Sequence, residues 1–169
     1  MTLRIALLRG INVGGNKMIA MSDLRDLATS LGLRDARTLL QSGNLVFRSG
    51  KPPAQLEKLL EREIAMNVDV FVRTAEEWQA AVARNPFAEE AKRDPGHLLL
   101  MALKDAADAG TLVIPGREVA RGSGREIYLY YPDGQGKSKL TNAVIEKKLG
   151  TRGTARNWNT VMKLARLVT

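Results

Sequence analysis

The chain has no cysteine among its 169 residues. That absence excludes disulfides, thiolate nucleophiles and Cys-ligated zinc or iron–sulfur centres. It has one histidine, His97, which leaves almost no material for a His-rich metal site. No stretch approaches the run of about eighteen apolar residues that a membrane span requires. The start, MTLRIALLRGINVGG, meets Arg9 and a glycine turn too early for a signal peptide. A cytoplasmic protein with no membrane partner is therefore expected. Aromatic residues make up only 5%, so the core must be built mainly from Leu, Val, Ile and Ala. No hydrolase triad, metal cluster or pair of glycosidase carboxylates stands out, and no cofactor is expected.

What is present suffices for a folded domain. Hydrophobic residues make up 44% and charged residues 26%, a balance that argues against general disorder. The formal charge is +8 and is unevenly spread. Residues 1–50 hold seven Lys or Arg against three Asp or Glu, residues 51–120 nine against twelve, and residues 121–169 ten against three. Positive charge at the two end segments favours polyanions through long-range attraction.

Leu3, Ile5 and Leu7 alternate with Arg4, Ala6 and Leu8, which predicts a largely buried first strand. A helix is predicted from about Met21, with Ser22 as its cap, Leu24, Leu27, Ala28 and Leu31 on its apolar face, and Gly32 at its end. ARTLL and NLVF read as a hairpin around Gln41 to Asn44. Pro52 and Pro53 open a second helix with a Leu56, Leu59, Leu60, Ile64 stripe, followed by a strand through Val68, Val70 and Val72. The order β-α-β-β-α-β is that of a ferredoxin-like unit. A connecting helix carries Trp78 and ends near Asn85-Pro86.

The second part reads as a strand (HLLLMAL), a short helix (DAADAG), a short apolar segment (TLVI) and a hairpin (VARGSGREIYLYY). A helix through Leu140, Val144, Ile145 and Leu149 follows, then a last helix with Trp158, Val161, Leu164, Ala165 and Val168. The expectation is thus an α/β protein, of α+β type, with two small ferredoxin-like subdomains packed together. Their expected bounds are 1–84, with the connecting helix, and 85–169, with the C-terminal helix.

Three loop systems carry candidate binding residues. Gly136-Lys137-Ser138 lies between a strand and a helix, the context of a phosphate-binding loop, and Lys139 adds a second cation. The full nucleotide motif fails, because Tyr131 stands where its first glycine belongs and Pro132 fixes the backbone beside it. A simple anion site, or a Ser138-capped helix with solvated lysines, remains. The loop from Arg9 to Lys17 does not match the dinucleotide fingerprint, yet Arg9, Asn12, Gly14, Gly15, Asn16 and Lys17 supply many donors. Its alternative is a tight connection whose asparagines satisfy their own backbone. Ser42 and Asn44 either face the same ligand or stabilise a turn. Arg156, Asn157 and Asn159 either contact a ligand or serve the last helix, with Thr154 or Asn157 as cap, and Trp158 is either core or a base-stacking platform. His97 lies beside an apolar strand and is not visibly joined to a nucleophile or an acid, so it reads as a structural or surface residue, with a general base as the alternative.

Taken together, ALLRGINVGGNK (6–17), QSGNLVF (41–47), NPF (85–87), YLYYPDG…SKL (128–140) and TARNWNTVMKL (154–164) resemble the bacterial DUF1697 family, a domain of unknown function. The resemblance spans nearly the whole chain and implies a bacterial protein with paired ferredoxin-like subdomains. It implies no catalytic residue. Arg9, Asn12, Gly14, Gly15, Ser42, Gly43, Asn44, Ser138, Lys139 and Arg156 to Asn159 match the family's recurring positions, and the resemblance assigns none of them as a ligand.

The leading functional expectation is binding of nucleic acid or a phosphorylated small molecule by these basic, Gly/Asn-rich loops. The alternatives are a small enzyme acting on an anionic metabolite, which requires the loops to converge, and a protein-interaction module.

Overall fold

The structure, a computed structural model, describes residues 1–12, 17–39 and 43–169. The chain divides into two compact units, Met1–Ala80 with Leu164–Thr169, and Ala81–Lys163. Helix α3 (Ala75–Ala83) begins in the first unit and ends in the second, and α6 (Trp158–Leu167) makes the opposite passage.

The first unit contains β1 (Thr2–Leu8), α1 (Met21–Ser30), β2 (Arg34–Leu39), β3 (Asn44–Ser49), α2 (Pro53–Glu63) and β4 (Val70–Thr74). The sheet order is β2-β3-β1-β4, with every neighbouring pair antiparallel. Ala6, Leu8, Leu45, Phe47, Val70 and Val72 cluster with Leu24 and Ala28 of α1 and Leu56 and Leu60 of α2. Burying each large member contributes about 1.5–3 kcal/mol, which makes this cluster the main support of the sheet. Ile5, Leu7, Val46 and Phe71, on the other face, are buried as well. Continuous burial explains why β1 reads as an apolar run instead of a clean alternation.

Pro53 occupies the first turn of α2, where its missing N–H is not needed. Helix α1 starts after Ala20 without a side-chain cap, so Ser22 sits inside the first turn rather than capping it. Edge strand β4 would expose unpaired N–H groups, but α2 covers them. Glu61 accepts a hydrogen bond from the Val70 N–H (2.9 Å) and Glu57 one from the Val72 N–H (2.8 Å). Carboxylates thus occupy positions at which another strand would otherwise pair.

The second unit contains α4 (Ala88–Arg93), β5 (Leu98–Asp108), β6 (Val119–Arg121), β7 (Ser123–Tyr130), α5 (Asn142–Leu149) and β8 (Gly153–Asn157). Its sheet order is β6-β7-β5-β8, again antiparallel throughout. Leu99, Met101, Leu103, Ile127, Leu129 and Tyr131 form a core with Ile145 of α5.

Three features depart from the sequence reading. The expected DAADAG helix is mostly the end of β5, because Ala107 and Asp108 pair with Gly124 and Ser123 of β7; only Ala109–Thr111 turns as a short 3₁₀ helix. Cross-strand pairing overrides alanine's helix propensity here. Strand β8 was not expected, since GTARN lacks an apolar alternation; it nonetheless pairs with Leu99–Leu103. In α5 only Ile145 is fully buried, Val144 is exposed, and the cap is Thr141, whose hydroxyl accepts from the Val144 N–H (3.3 Å), rather than Ser138. No helix among the described residues is long and apolar enough to cross a membrane.

Candidate functional site

At one end of the first sheet the β1 exit, the β3 entry and the β4 entry come together. Leu8 donates its N–H to Gly43 (2.9 Å) and Arg9 donates its own to Asp69 (3.0 Å). The Arg9 guanidinium lies 3.8 Å from the Asp69 carboxylate. Asn12 adopts a left-handed backbone (φ 55°), and its side chain bonds both the N–H (2.8 Å) and the carbonyl (3.1 Å) of Ile19. Lys17 donates to the Asn67 carbonyl (2.8 Å), and the fully buried Asn44 donates to the Leu39 carbonyl (2.7 Å). The described polar groups of this end are thus used to close its own loops. Gly14, Gly15, Asn16 and Ser42 lie outside the described residues.

In the second unit the segments 115–118, 131–134 and 137–139 enclose a cleft of about 290 Å³. The β6–β7 hairpin explains this meeting, since Val119 pairs with Tyr130 and brings the residues before β6 against those after β7. Arg117 forms a two-pronged pair with Asp133, through Nε to Oδ2 at 3.0 Å and through Nη2 to Oδ1. That guanidinium holds the Asp133 carboxyl below its ordinary range, and the carboxylate in turn raises Arg117. Ser138 donates to Glu118 (2.9 Å) while accepting from the Leu140 N–H (2.9 Å). Lys137 and Lys139 line the same cleft and are exposed. Tyr131, also in the lining, donates to the Leu140 carbonyl (2.9 Å), and burial pushes its phenol up to about 12, so it stays neutral.

Next to the cleft residues Asp133 and Gly134, His97 has partners that the sequence did not show. His97 Nδ1 lies 3.1 Å from Asp94 Oδ2, and the Tyr130 hydroxyl donates to the same oxygen (2.8 Å). Arg93 donates to the Tyr130 oxygen (3.3 Å), with its guanidinium 5.7 Å from the ring centre. The Tyr130 hydroxyl, then His97 and Arg93, hold the Asp94 carboxyl below its ordinary range. His97 is therefore joined to an acid, contrary to the sequence reading. The D-P-G-H spacing was visible, but the link to Tyr130 depends on the pairing of Leu98 with Tyr130.

The remaining expected residues lie elsewhere in this unit. Arg156 is buried on β8 and donates to Thr154 Oγ1 (2.8 Å) and the Ala155 carbonyl (2.9 Å). Burial lowers its guanidinium to about 10, far enough above neutrality that it keeps its charge. Asn157 caps α6 by accepting from the Thr160 N–H (3.1 Å), Trp158 is buried, and Asn159 is exposed. None of Arg156, Asn157 and Asn159 lines the cleft. Arg117, Glu118 and Asp133 were missed because no local pattern announces a cleft closed by a hairpin. Among the described residues no cluster of three or more His, Asp or Glu could hold a metal.

Two four-stranded antiparallel sheets with flanking helices define an α/β protein of two sheet-containing subdomains, with a charged cleft in the second. A family model described as "Protein of unknown function (DUF1697)" matches residues 1–128, and the chain belongs to that family. The fold is similar to that of the conserved bacterial protein SP0830 from Streptococcus pneumoniae, with a TM-score of 0.78 and 24% identity over 99% of each chain. No curated protein matches the chain.

Proposed function

We propose that this protein binds a phosphate-bearing ligand in the cleft formed by 115–118, 131–134 and 137–139. The observation that carries the reading is the pairing pattern inside the cleft. Both carboxylates are engaged, Asp133 by Arg117 and Glu118 by Ser138, while Lys137 and Lys139 remain exposed along the same wall. Three cations face two carboxylates, so the local excess is one positive charge, added to the long-range attraction of a +8 chain. Lysines act as compact point charges, which suits phosphate without demanding one planar geometry. A volume near 290 Å³ lies at the small end of ligand pockets and fits a phosphorylated metabolite or a nucleotide end better than a duplex.

The reading takes both sheets as ferredoxin-like units, on the strength of their shared strand order. It also takes the ligand to be met in the cytoplasm. Titrations with pyrophosphate, single-stranded RNA and DNA, and duplex DNA at several salt concentrations test it. Binding that weakens as salt rises is expected. No binding to any of these at low salt would reject it.

A further inference from the structure

We propose that Glu118 selects the ligand of the cleft by accepting a hydroxyl of a sugar phosphate whose phosphate group lies at Lys137 and Lys139. The proposal rests on the reading that the cleft holds a phosphate group, and it adds the class of molecule that carries that group. Its own support is a carboxylate with one oxygen unused.

A site for phosphate alone gains nothing from a carboxylate, which repels the ligand. The cleft lining holds two, and they differ. Asp133 is neutralised, because Arg117 donates to both of its oxygens. Glu118 has no such counter-ion. Among the described residues its carboxylate bonds the Ser138 hydroxyl and pairs with no Lys or Arg. Ser138 reaches Oε2 (2.9 Å), and its own oxygen accepts from the Leu140 N–H. Oε1 lies over Gly116, where an added methyl group would stand 2.7 Å from it. Gly116 also lines the cleft, so a side chain there would cover that oxygen.

The neighbouring lining residues do not satisfy Oε1. The Tyr131 hydroxyl is engaged with the Leu140 carbonyl, and Pro115 and Pro132 carry no N–H. At neutral pH a carboxylate accepts through both oxygens and cannot donate, so the group that completes Glu118 has to be a donor. A neutral hydroxyl suits the place better than an ammonium, because the lining already sets three cations against two carboxylates. Lys137 and Lys139, exposed on the same lining, match a phosphate. A hydroxyl and a phosphate on one small molecule describe a sugar phosphate. Pro115 and Pro132 add apolar surface for its C–H groups.

The test is calorimetric titration of the full chain with ribose 5-phosphate, AMP and tetrahydrofurfuryl phosphate. The last has the ring of ribose 5-phosphate without its hydroxyls. Ribose 5-phosphate should bind about tenfold tighter than tetrahydrofurfuryl phosphate. AMP tells a free sugar phosphate from a nucleotide as the source of the hydroxyls, according to which of the two binds tighter. Glu118→Gln keeps an oxygen for Ser138 and puts an amide nitrogen in place of the second acceptor. It should weaken ribose 5-phosphate about fivefold or more. Tetrahydrofurfuryl phosphate should bind that variant as well as wild type or better, because a repelling charge is gone. A role for Glu118 confined to holding Ser138 would weaken both ligands alike. Thermal unfolding checks that the variant folds.

Equal binding of ribose 5-phosphate and tetrahydrofurfuryl phosphate to the wild type overturns the proposal without any variant and leaves the phosphate reading intact. So does an equal loss of both ligands, or a loss of neither, in Glu118→Gln. Absence of binding by all three esters overturns both.

Discussion

Gly43 tests the meeting of the β1 exit with the β3 entry. Its backbone is left-handed (φ 84°), and a methyl group there would stand 2.6 Å from Ile11 Cδ1 and 2.9 Å from Leu8 Cβ. The Ile11 methyl is the end of a side chain, but that side chain is buried with 1% exposure and has little room to turn. Leu8 Cβ is fixed to the backbone of β1 and cannot yield without disturbing the strand. For Gly43→Ala the left-handed backbone costs about 1 kcal/mol and the overlap about 1–3 kcal/mol, so a loss of about 2–4 kcal/mol is expected. Gly32 supplies the control, since it is also left-handed (φ 81°) but nothing stands within 4 Å of an added methyl. Gly32→Ala should therefore cost only about 1 kcal/mol. Urea unfolding in a Trp158→Phe background lets Trp78 report on its own unit. Equal losses for the two substitutions would refute the close approach of Leu8 and Ile11 to the hairpin.

Tyr131→Phe should cost about 1–3 kcal/mol by leaving the buried Leu140 carbonyl without its donor. The gap between wild type and that variant should shrink as pH rises from 10 to about 12, because the unfolded phenol ionises first while the folded one stays protonated, which favours unfolding. Denaturant midpoints across that range check both statements. Asn157→Ala should cost about 1 kcal/mol by removing the cap of α6, measured by thermal unfolding. At the acid end, Asp94 and Asp133 have folded values below the ordinary 3.8, so the unfolded chain takes up protons first and stability falls as pH drops through and below that value. The Asp94→Asn, Asp133→Asn double variant should show a shallower fall.

The first unit was largely legible because its elements announce themselves locally. LRIALL is apolar on both faces, Pro53 opens α2, and NLVF follows a turn. The second unit was harder, since its pairing is less local. Strand β8 carries Thr154 and Arg156 where a strand of this burial would ordinarily carry Val or Ile, so no periodicity marks it. The end of β5 is rich in alanine and becomes a strand only because β7 lies beside it.

The candidate cleft was half visible in the same way. Lys137, Ser138 and Lys139 were read from one short motif, whereas Arg117 and Glu118 reach them only through the hairpin. Asn12, Lys17 and Asn44 looked alike as loop donors. The structure shows each closing a backbone contact of its own unit.

In the proposed site two particular lysines, Lys137 and Lys139, rather than the charge of the whole chain, hold the phosphate group. Calorimetric titration of pyrophosphate into three proteins separates these possibilities. They are wild type, Lys137→Ala with Lys139→Ala, and Lys147→Ala with Lys148→Ala. The second pair is on α5, also exposed and outside the cleft, and removes the same charge. Affinity should fall about tenfold or more for the cleft pair and stay within about twofold of wild type for the α5 pair. Equal losses for both pairs, or none for either, would contradict it.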